Sequence, residues 1–162
     1  MLTHAPLLVI FDKDGTLIDF QQMWGRWAHA FASRVSTAIH HDVRAAIATA
    51  FGYDATTMHI DPRGALAIAS MATMQQMAVQ VIAPYCASMA DAYLCVTHAW
   101  QPPDPTREAL PLADLPQLFA WIHAHGAQIA VATADNRAPT IATLQHLGVF
   151  SYVSAMACAD DV

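Results

Sequence analysis

The sequence predicts an α/β fold in which a parallel sheet is interrupted, after its first strand, by a long helical insert. Three observations predict it. An apolar run, Leu7-Leu8-Val9-Ile10-Phe11, stops at Asp12-Lys13-Asp14-Gly15-Thr16, the pattern of a buried parallel strand ending in a polar turn. From Phe20 to Trp100 the apolar residues recur at helical spacing. A second apolar run, Ala127-Gln128-Ile129-Ala130-Val131-Ala132-Thr133, then ends in a hydroxyl and leads into another helical pattern.

The elements follow in order. Met23, Trp24, Trp27, Phe31 and Val35 define an amphipathic helix, and Val43, Ile47, Ala50 and Phe51 a shorter one closed by Gly52. Helices are expected over 65–71, 74–84 and 86–98, with Gly52-Tyr53-Asp54 and Ile60-Asp61-Pro62-Arg63-Gly64 as loops between helices. Pro102, Pro103, Pro105, Pro111 and Pro116 mark a linker that breaks regular structure. Leu115, Leu118, Phe119 and Ile122 begin a helix that ends at Gly126, before the second strand. After Thr133, Asp135 or Asn136 is the expected N-cap, with Pro139 in the first turn. Ile141, Leu144 and Leu147 form the apolar face of that helix, and Gly148 stops it. Residues 1–19 and 101–162 thus read as a discontinuous α/β core, and 20–100 as a helical insert.

Ligands of open α/β sheets bind at the carboxyl ends of the strands, where Asp12 and Asp14 fall. Two carboxylates at such an end suit phosphoryl transfer: one attacks phosphorus, and the other gives and takes the proton. Gly15 lets the backbone turn away, and Thr16 adds a hydroxyl. Thr133, at the mouth of a helix N-terminus, can hold a phosphate oxygen beside backbone N–H groups.

The stretch FDKDGTLID, Phe11 to Asp19, resembles the first signature of the haloacid dehalogenase superfamily, most of whose members are Mg²⁺-dependent phosphatases. The strand ending at Thr133 resembles the second, and the helical insert resembles the cap that closes over the active site and sets substrate choice. The resemblance implies a Rossmann-like parallel-sheet core with an inserted all-helical cap, closest in cap position and length to phosphoglycolate-phosphatase-like members. It implies Asp12 as nucleophile and Asp14 as general acid/base, both at the Mg²⁺ site, with Thr133, Ala134, Gly15 and Thr16 around the phosphate. The substrate implied is a small phosphorylated metabolite. Dehalogenase members lack an acid at the position of Asp14, which favours phosphate ester chemistry.

Two further family motifs are missing: a Lys that orients the nucleophile, and an acidic pair that completes the metal site. No Lys follows Lys13. Asp160-Asp161 comes too soon after the second motif to be the metal pair, and reads as the acidic stretch that precedes the Lys. The core is therefore expected to be incomplete at the C-terminal side. A phosphomutase, or a non-catalytic remnant that binds a phosphate or a partner if the chain ends at Val162, are the alternative readings.

Composition agrees with this layout. Apolar residues make up 56% and charged residues 12% of the chain, an apolar surplus that uncovered core faces, an Ala-rich cap or a homo-oligomer interface would each produce. The net charge of −6 and the absence of a basic stripe argue against nucleic acid. Cys86, Cys95 and Cys158 are too scattered for a disulfide framework or zinc motif and suit a cytoplasmic protein. The apolar stretch from Met71 to Val96 is broken by Gln75, Gln76, Gln80, Pro84 and Asp91, so no membrane span is expected. In the insert, Trp24, Trp27 and Phe31 read as core, and Arg26 and Arg34 as a solvated face. Arg63, in a loop of the insert, is the candidate substrate contact, because cap loops touch substrate in the resembled family.

Overall fold

The computed structural model describes residues 8–57 and 59–161, so Leu7, the expected start of the first strand, lies outside the described residues. In chain order the strands are β1 (Leu8–Phe11), β2 (Tyr53–Asp54), β3 (His59–Ile60), β4 (Gln128–Ala132) and β5 (Val153–Ala157). The helices are α1 (Phe20–Ala38), α2 (Arg44–Phe51), α3 (Ala65–Ile68), α4 (Met71–Ile82), α5 (Met89–Ala99), α6 (Pro105–Glu108), α7 (Leu115–Ala124) and α8 (Arg137–His146). They divide into two compact units, Met1–Phe20 with Asp104–Val162, and Gln21–Pro103.

The first unit is built on a parallel sheet of order β1-β4-β5. Ile129, Ala130 and Val131 of β4 are buried, as the central position of that strand requires. On α7, Leu115, Phe119 and Ile122 are buried, and the Phe119 ring stacks on Phe11 with centroids 5.1 Å apart. That contact anchors the end of β1 just before Asp12. The expectation of a buried first strand is corrected here for one of its faces. Leu8 and Ile10, which share one face, are 47% and 61% exposed, so that face of β1 is left uncovered among the described residues.

The proline-rich stretch also carries more structure than expected. Asp104 caps α6: its Oδ1 accepts from the Thr106 N–H at 2.9 Å, while Glu108 Oε1 accepts from the Asp104 N–H, also at 2.9 Å. Pro111 lies in an antiparallel bridge with Ile18, flanked by Asp19 N–H to Leu110 O at 2.8 Å and Leu112 N–H to Leu17 O at 3.1 Å. Pro116 sits in the first turn of α7, where no intrahelical donor is lost. On α8 the buried face includes Thr140 and Thr143, which the apolar pattern omits. Their hydroxyls are satisfied by donating to the carbonyls of Asn136 at 2.8 Å and Pro139 at 2.9 Å.

The second unit is mainly helical. Trp27 stacks on Phe31 with ring centroids 5.5 Å apart and meets Trp100 edge-on at 4.9 Å, and Phe51 closes the cluster. Trp27 Nε1 donates to Gln101 O at 2.7 Å, so its polar atom is satisfied. Arg34 departs from the solvated-face reading. It is partly buried, its Nε donates to the Ala99 carbonyl at the end of α5 at 2.9 Å, and burial lowers its pKa.

The loops expected around Gly52 and Ile60 instead pair as a short antiparallel ladder, β2 with β3. Buried Tyr53 and Ile60 fix its register. The Gln21 side chain straps Ile60 by accepting from its N–H at 2.8 Å and donating to its carbonyl at 3.3 Å. Gly52 makes the approach possible: its φ is +70°, and a Cβ there would lie 2.6 Å from the Gly64 Cα. Among the described residues, no helix is long and apolar enough to cross a membrane.

Candidate active site

Parallel pairing brings the carboxyl ends of β1 and β4 side by side, with Phe11 opposite Val131. Asp12 leaves β1 at the edge where Thr133 leaves β4, and the Thr133 N–H donates to Ala157 O of β5 at 2.9 Å. Asp12 is exposed, whereas Asp14 and Thr133 are partly buried. The turn between them is tight. Gly15 has φ +81°, its N–H donates to Ile18 O at 2.9 Å, and Lys13 O accepts from the N–H groups of Leu17 at 2.9 Å and Ile18 at 3.2 Å. The N–H of Gly15 is thus used within the turn, while Thr16 is exposed and offers its hydroxyl.

Lys13 is the residue sequence reasoning left without a role. Its side chain is 1% exposed, and its ammonium lies 2.7 Å from Asp14 Oδ2 and 3.2 Å from Asp135 Oδ2. Such a buried cation persists only when paired. Of the two N-cap candidates, Asn136 takes that position and Asp135 serves the strand ends. Its N–H donates to Thr133 Oγ1 at 3.1 Å, and its carbonyl accepts from the Ala159 N–H, beyond β5, at 2.9 Å. The sequence signal for Lys13 was its place between two carboxylates at a strand end; for Asp135 no pattern distinguished it from a cap.

The N-terminus of α8 is closed from another segment. Asn136 occupies the N-cap position without a side-chain bond, and Asp160 Oδ1 accepts from the Arg137 N–H at 2.9 Å. Asp161 pairs with Arg137, its Oδ1 accepting from Nε at 3.0 Å and its Oδ2 from Nη2. Asp161 Oδ2 also accepts from the Cys158 N–H at 2.7 Å. Arg137, with the backbone of Cys158 second, holds the Asp161 carboxyl below the usual carboxylate range, and the bond to Asp161 raises Arg137. Both carboxylates of the Asp160-Asp161 pair are therefore engaged in closing this end of the sheet. Among the described residues, no group of three or more His, Cys, Asp or Glu side chains is placed to hold a metal.

Ala134 is exposed at the start of the loop after β4. Arg63 belongs to the other unit. Its side chain is 92% exposed, and its Nε lies 3.8 Å from Asp61 Oδ1. A hollow of about 550 Å³ in the helical unit is lined by Arg34, Tyr85, Cys86, Asp91, Cys95 and His98 among others, and contains none of the sequence-predicted site residues.

A parallel sheet with two carboxylates and a hydroxyl at adjoining strand ends is the arrangement that the sequence resemblance implies for an α/β hydrolase. The family comparison gives the same class: residues 7–162 match the model of the haloacid dehalogenase-like hydrolases, and the chain belongs to that family. None of the curated proteins matches it. Among solved structures it is similar to a protein assigned as a phosphoglycolate phosphatase from Haemophilus somnus, with TM-score 0.56 and 13% identity over 99% of this chain and 65% of that one. A protein assigned as a beta-phosphoglucomutase from Thermotoga maritima gives TM-score 0.55 and 14% identity over 96% and 62%. A subfamily IA hydrolase of the superfamily from Geobacter sulfurreducens gives 0.54 and 14% over 99% and 66%. At these identities the likeness is one of fold, and the chain spans about two thirds of the length of each.

Proposed function

We propose that the site hydrolyses a small phosphomonoester through an aspartyl-phosphate intermediate. The observation that supports this reading is the juxtaposition, at adjoining parallel strand ends, of the Asp12/Asp14 pair with the Thr133 hydroxyl. An Asp12 carboxylate oxygen attacks phosphorus in line, and the bond from phosphorus to the leaving oxygen breaks as Asp14 supplies a proton to that oxygen. Water then attacks the acyl phosphate. The bond from phosphorus to Asp12 breaks, and Asp14 takes the proton from water. Thr133, the Ala134 backbone and Thr16 hold the phosphoryl oxygens, because positioning and charge stabilisation dominate such transfers.

The donor chemistry suits Mg²⁺, which is commonly held by one or two carboxylates, with waters and phosphate oxygens completing the shell. Lys13 engages Oδ2 of Asp14, and the Asp12 carboxylate and the Asp14 main-chain carbonyl are the groups that would hold the ion. When bound, Mg²⁺ would offset the charge of the phosphoryl group.

The test is release of inorganic phosphate from a panel of phosphoglycolate-like and sugar phosphomonoesters, with and without Mg²⁺. Asp12→Asn is expected to abolish release while the circular dichroism spectrum is retained. Release by Asp12→Asn at the wild-type rate refutes the nucleophile. Phosphoryl return to a sugar without net release selects a phosphomutase.

A further inference from the structure

We infer that Lys13 is a positioning residue of this site, and that with Asp135 it forms a clamp fixing the general acid/base and the spacing of the strand ends. The inference rests on the phosphatase reading for its catalytic consequence, but the clamp itself is a matter of geometry.

Lys13 is the only lysine in the sequence and one of the most deeply buried side chains among the described residues. Its ammonium has a carboxylate on each side, Asp14 at 2.7 Å and Asp135 at 3.2 Å. The first belongs to the turn after β1 and the second to the loop after β4. Asp135 passes the link on through its N–H to Thr133 Oγ1 at 3.1 Å and its carbonyl to the Ala159 N–H at 2.9 Å. One connected chain of charge-assisted and backbone bonds therefore joins the ends of β1, β4 and β5. Removing the ammonium would leave two carboxylates facing each other and take away the charged link between the turn that carries Asp14 and the loop that carries Thr133. Reacting groups lose rate steeply when displaced by an ångström, so the loss falls on the chemical step. Arginine keeps the charge but has a wider, planar head, so it replaces the clamp only in part.

The ammonium can be followed without catalysis. Because the sequence has one lysine, ¹⁵N-lysine labelling gives a single side-chain ammonium signal, and burial with two carboxylate partners slows its exchange with water enough to observe it. The expected result is a visible ammonium cross-peak in the wild-type chain that broadens away or shifts strongly in Asp135→Asn. A wild-type signal absent under conditions where the backbone spectrum is dispersed overturns the clamp, and so does one unmoved by Asp135→Asn. In the phosphate-release assay, Lys13→Met and Asp135→Asn are each expected to lower kcat by about ten- to a hundredfold, with KM changed far less. Lys13→Arg is expected to recover part of the loss. Full kcat in folded Lys13→Met and Asp135→Asn removes the positioning role while leaving the phosphatase reading standing. A wild-type chain that releases no phosphate from any substrate overturns the phosphatase reading and the catalytic half of the inference, and the ammonium signal alone then decides the clamp.

Discussion

Gly52→Ala and Gly15→Ala form a matched pair, because both glycines have positive φ and only one is crowded. At Gly15, φ is +81° and the nearest heavy atom to an added Cβ is Phe20 Cβ at 3.9 Å, an ordinary contact. The substitution there costs about 1–2 kcal/mol for a left-handed L-residue. It recovers about 0.4–1 kcal/mol through reduced freedom of the unfolded chain. A net loss of no more than about 1.6 kcal/mol remains. At Gly52, φ is +70°, and the Cβ would lie 2.6 Å from Gly64 Cα, 3.4 Å from Gly64 C and 3.5 Å from Ala65 N. Those atoms are backbone, so no side chain can swing aside. Overpacking adds about 1–3 kcal/mol, for a net of about 1–4.6 kcal/mol. With a urea slope of about 2 kcal/mol per molar, the midpoint falls by about 0.5–2.3 M for Gly52→Ala, always about 0.5–1.5 M further than for Gly15→Ala, whose shift is no more than about 0.8 M. Tryptophan fluorescence is weighted towards the helical unit, which holds Trp24, Trp27 and Trp100 while Trp121 lies in the other, and far-UV circular dichroism reports both. Equal midpoints for the two variants would refute the claim that contact between the backbones of Gly52 and Gly64 holds the β2–β3 ladder in place.

Other perturbations test other parts of the molecule. Asp161 and Asp104 have folded-state pKa values below the ordinary 3.8, through Arg137 and Thr106 respectively. Their contribution to stability is full above that value and is lost as pH falls from 3.8 through the lower folded-state values. Thermal midpoints measured between about pH 5 and pH 2.5 should therefore fall, and fall less steeply in Asp161→Asn; parallel curves would remove Asp161 from the account. Burial, with Cys86 second, pushes the Cys95 thiol above its ordinary 9.0. Iodoacetamide should therefore modify Cys95 more slowly than a free thiol at neutral pH, as peptide mass mapping would record, and an equal or faster rate contradicts the burial. Thr133→Val, which keeps shape and removes the hydroxyl, should raise KM for a phosphomonoester or lower kcat by about tenfold or more, and unchanged kinetics would take Thr133 out of the phosphate site.

Much of the fold was legible because its cues are local. The helical spacing of Met23, Trp27, Phe31 and Val35 placed α1 with its buried face correct, and the run before Asp12 placed β1. The misses depend on partners distant in sequence. The β2–β3 ladder joins two residues to two, too few to leave a period, and it depends on Gln21 and on the contact between Gly52 and Gly64. Thr140 and Thr143 are buried because their hydroxyls donate back into their own helix, which an apolar pattern cannot register. Leu8 and Ile10 read as buried because a run of apolar residues shows that a strand suits an interior, not which of its faces is covered.

The candidate site divides along the same line. Asp12, Asp14 and Thr133 could be named from sequence because each ends an apolar run, and parallel pairing alone then makes their strand ends adjacent. Lys13 and Asp135 could not be paired from sequence. They stand far apart in the chain, and only the β1–β4 register brings the two loops together. Asp160-Asp161 was set aside as a metal pair only on its place in the chain, because a metal ligand and an ion-pair partner both require a carboxylate. The deciding facts are where the oxygens point, to the Arg137 backbone and guanidinium and to the Cys158 N–H. A carboxylate already neutralised by a bidentate guanidinium binds a cation only by giving up that partner. Among the described residues, the paired cations at this strand edge are thus Lys13, held by Asp14 of the turn after β1 and Asp135 of the loop after β4, and Arg137, held by Asp161 after β5. That division of labour is why Lys13, and not the acidic pair, is the residue through which the geometry of the proposed chemistry is most directly tested.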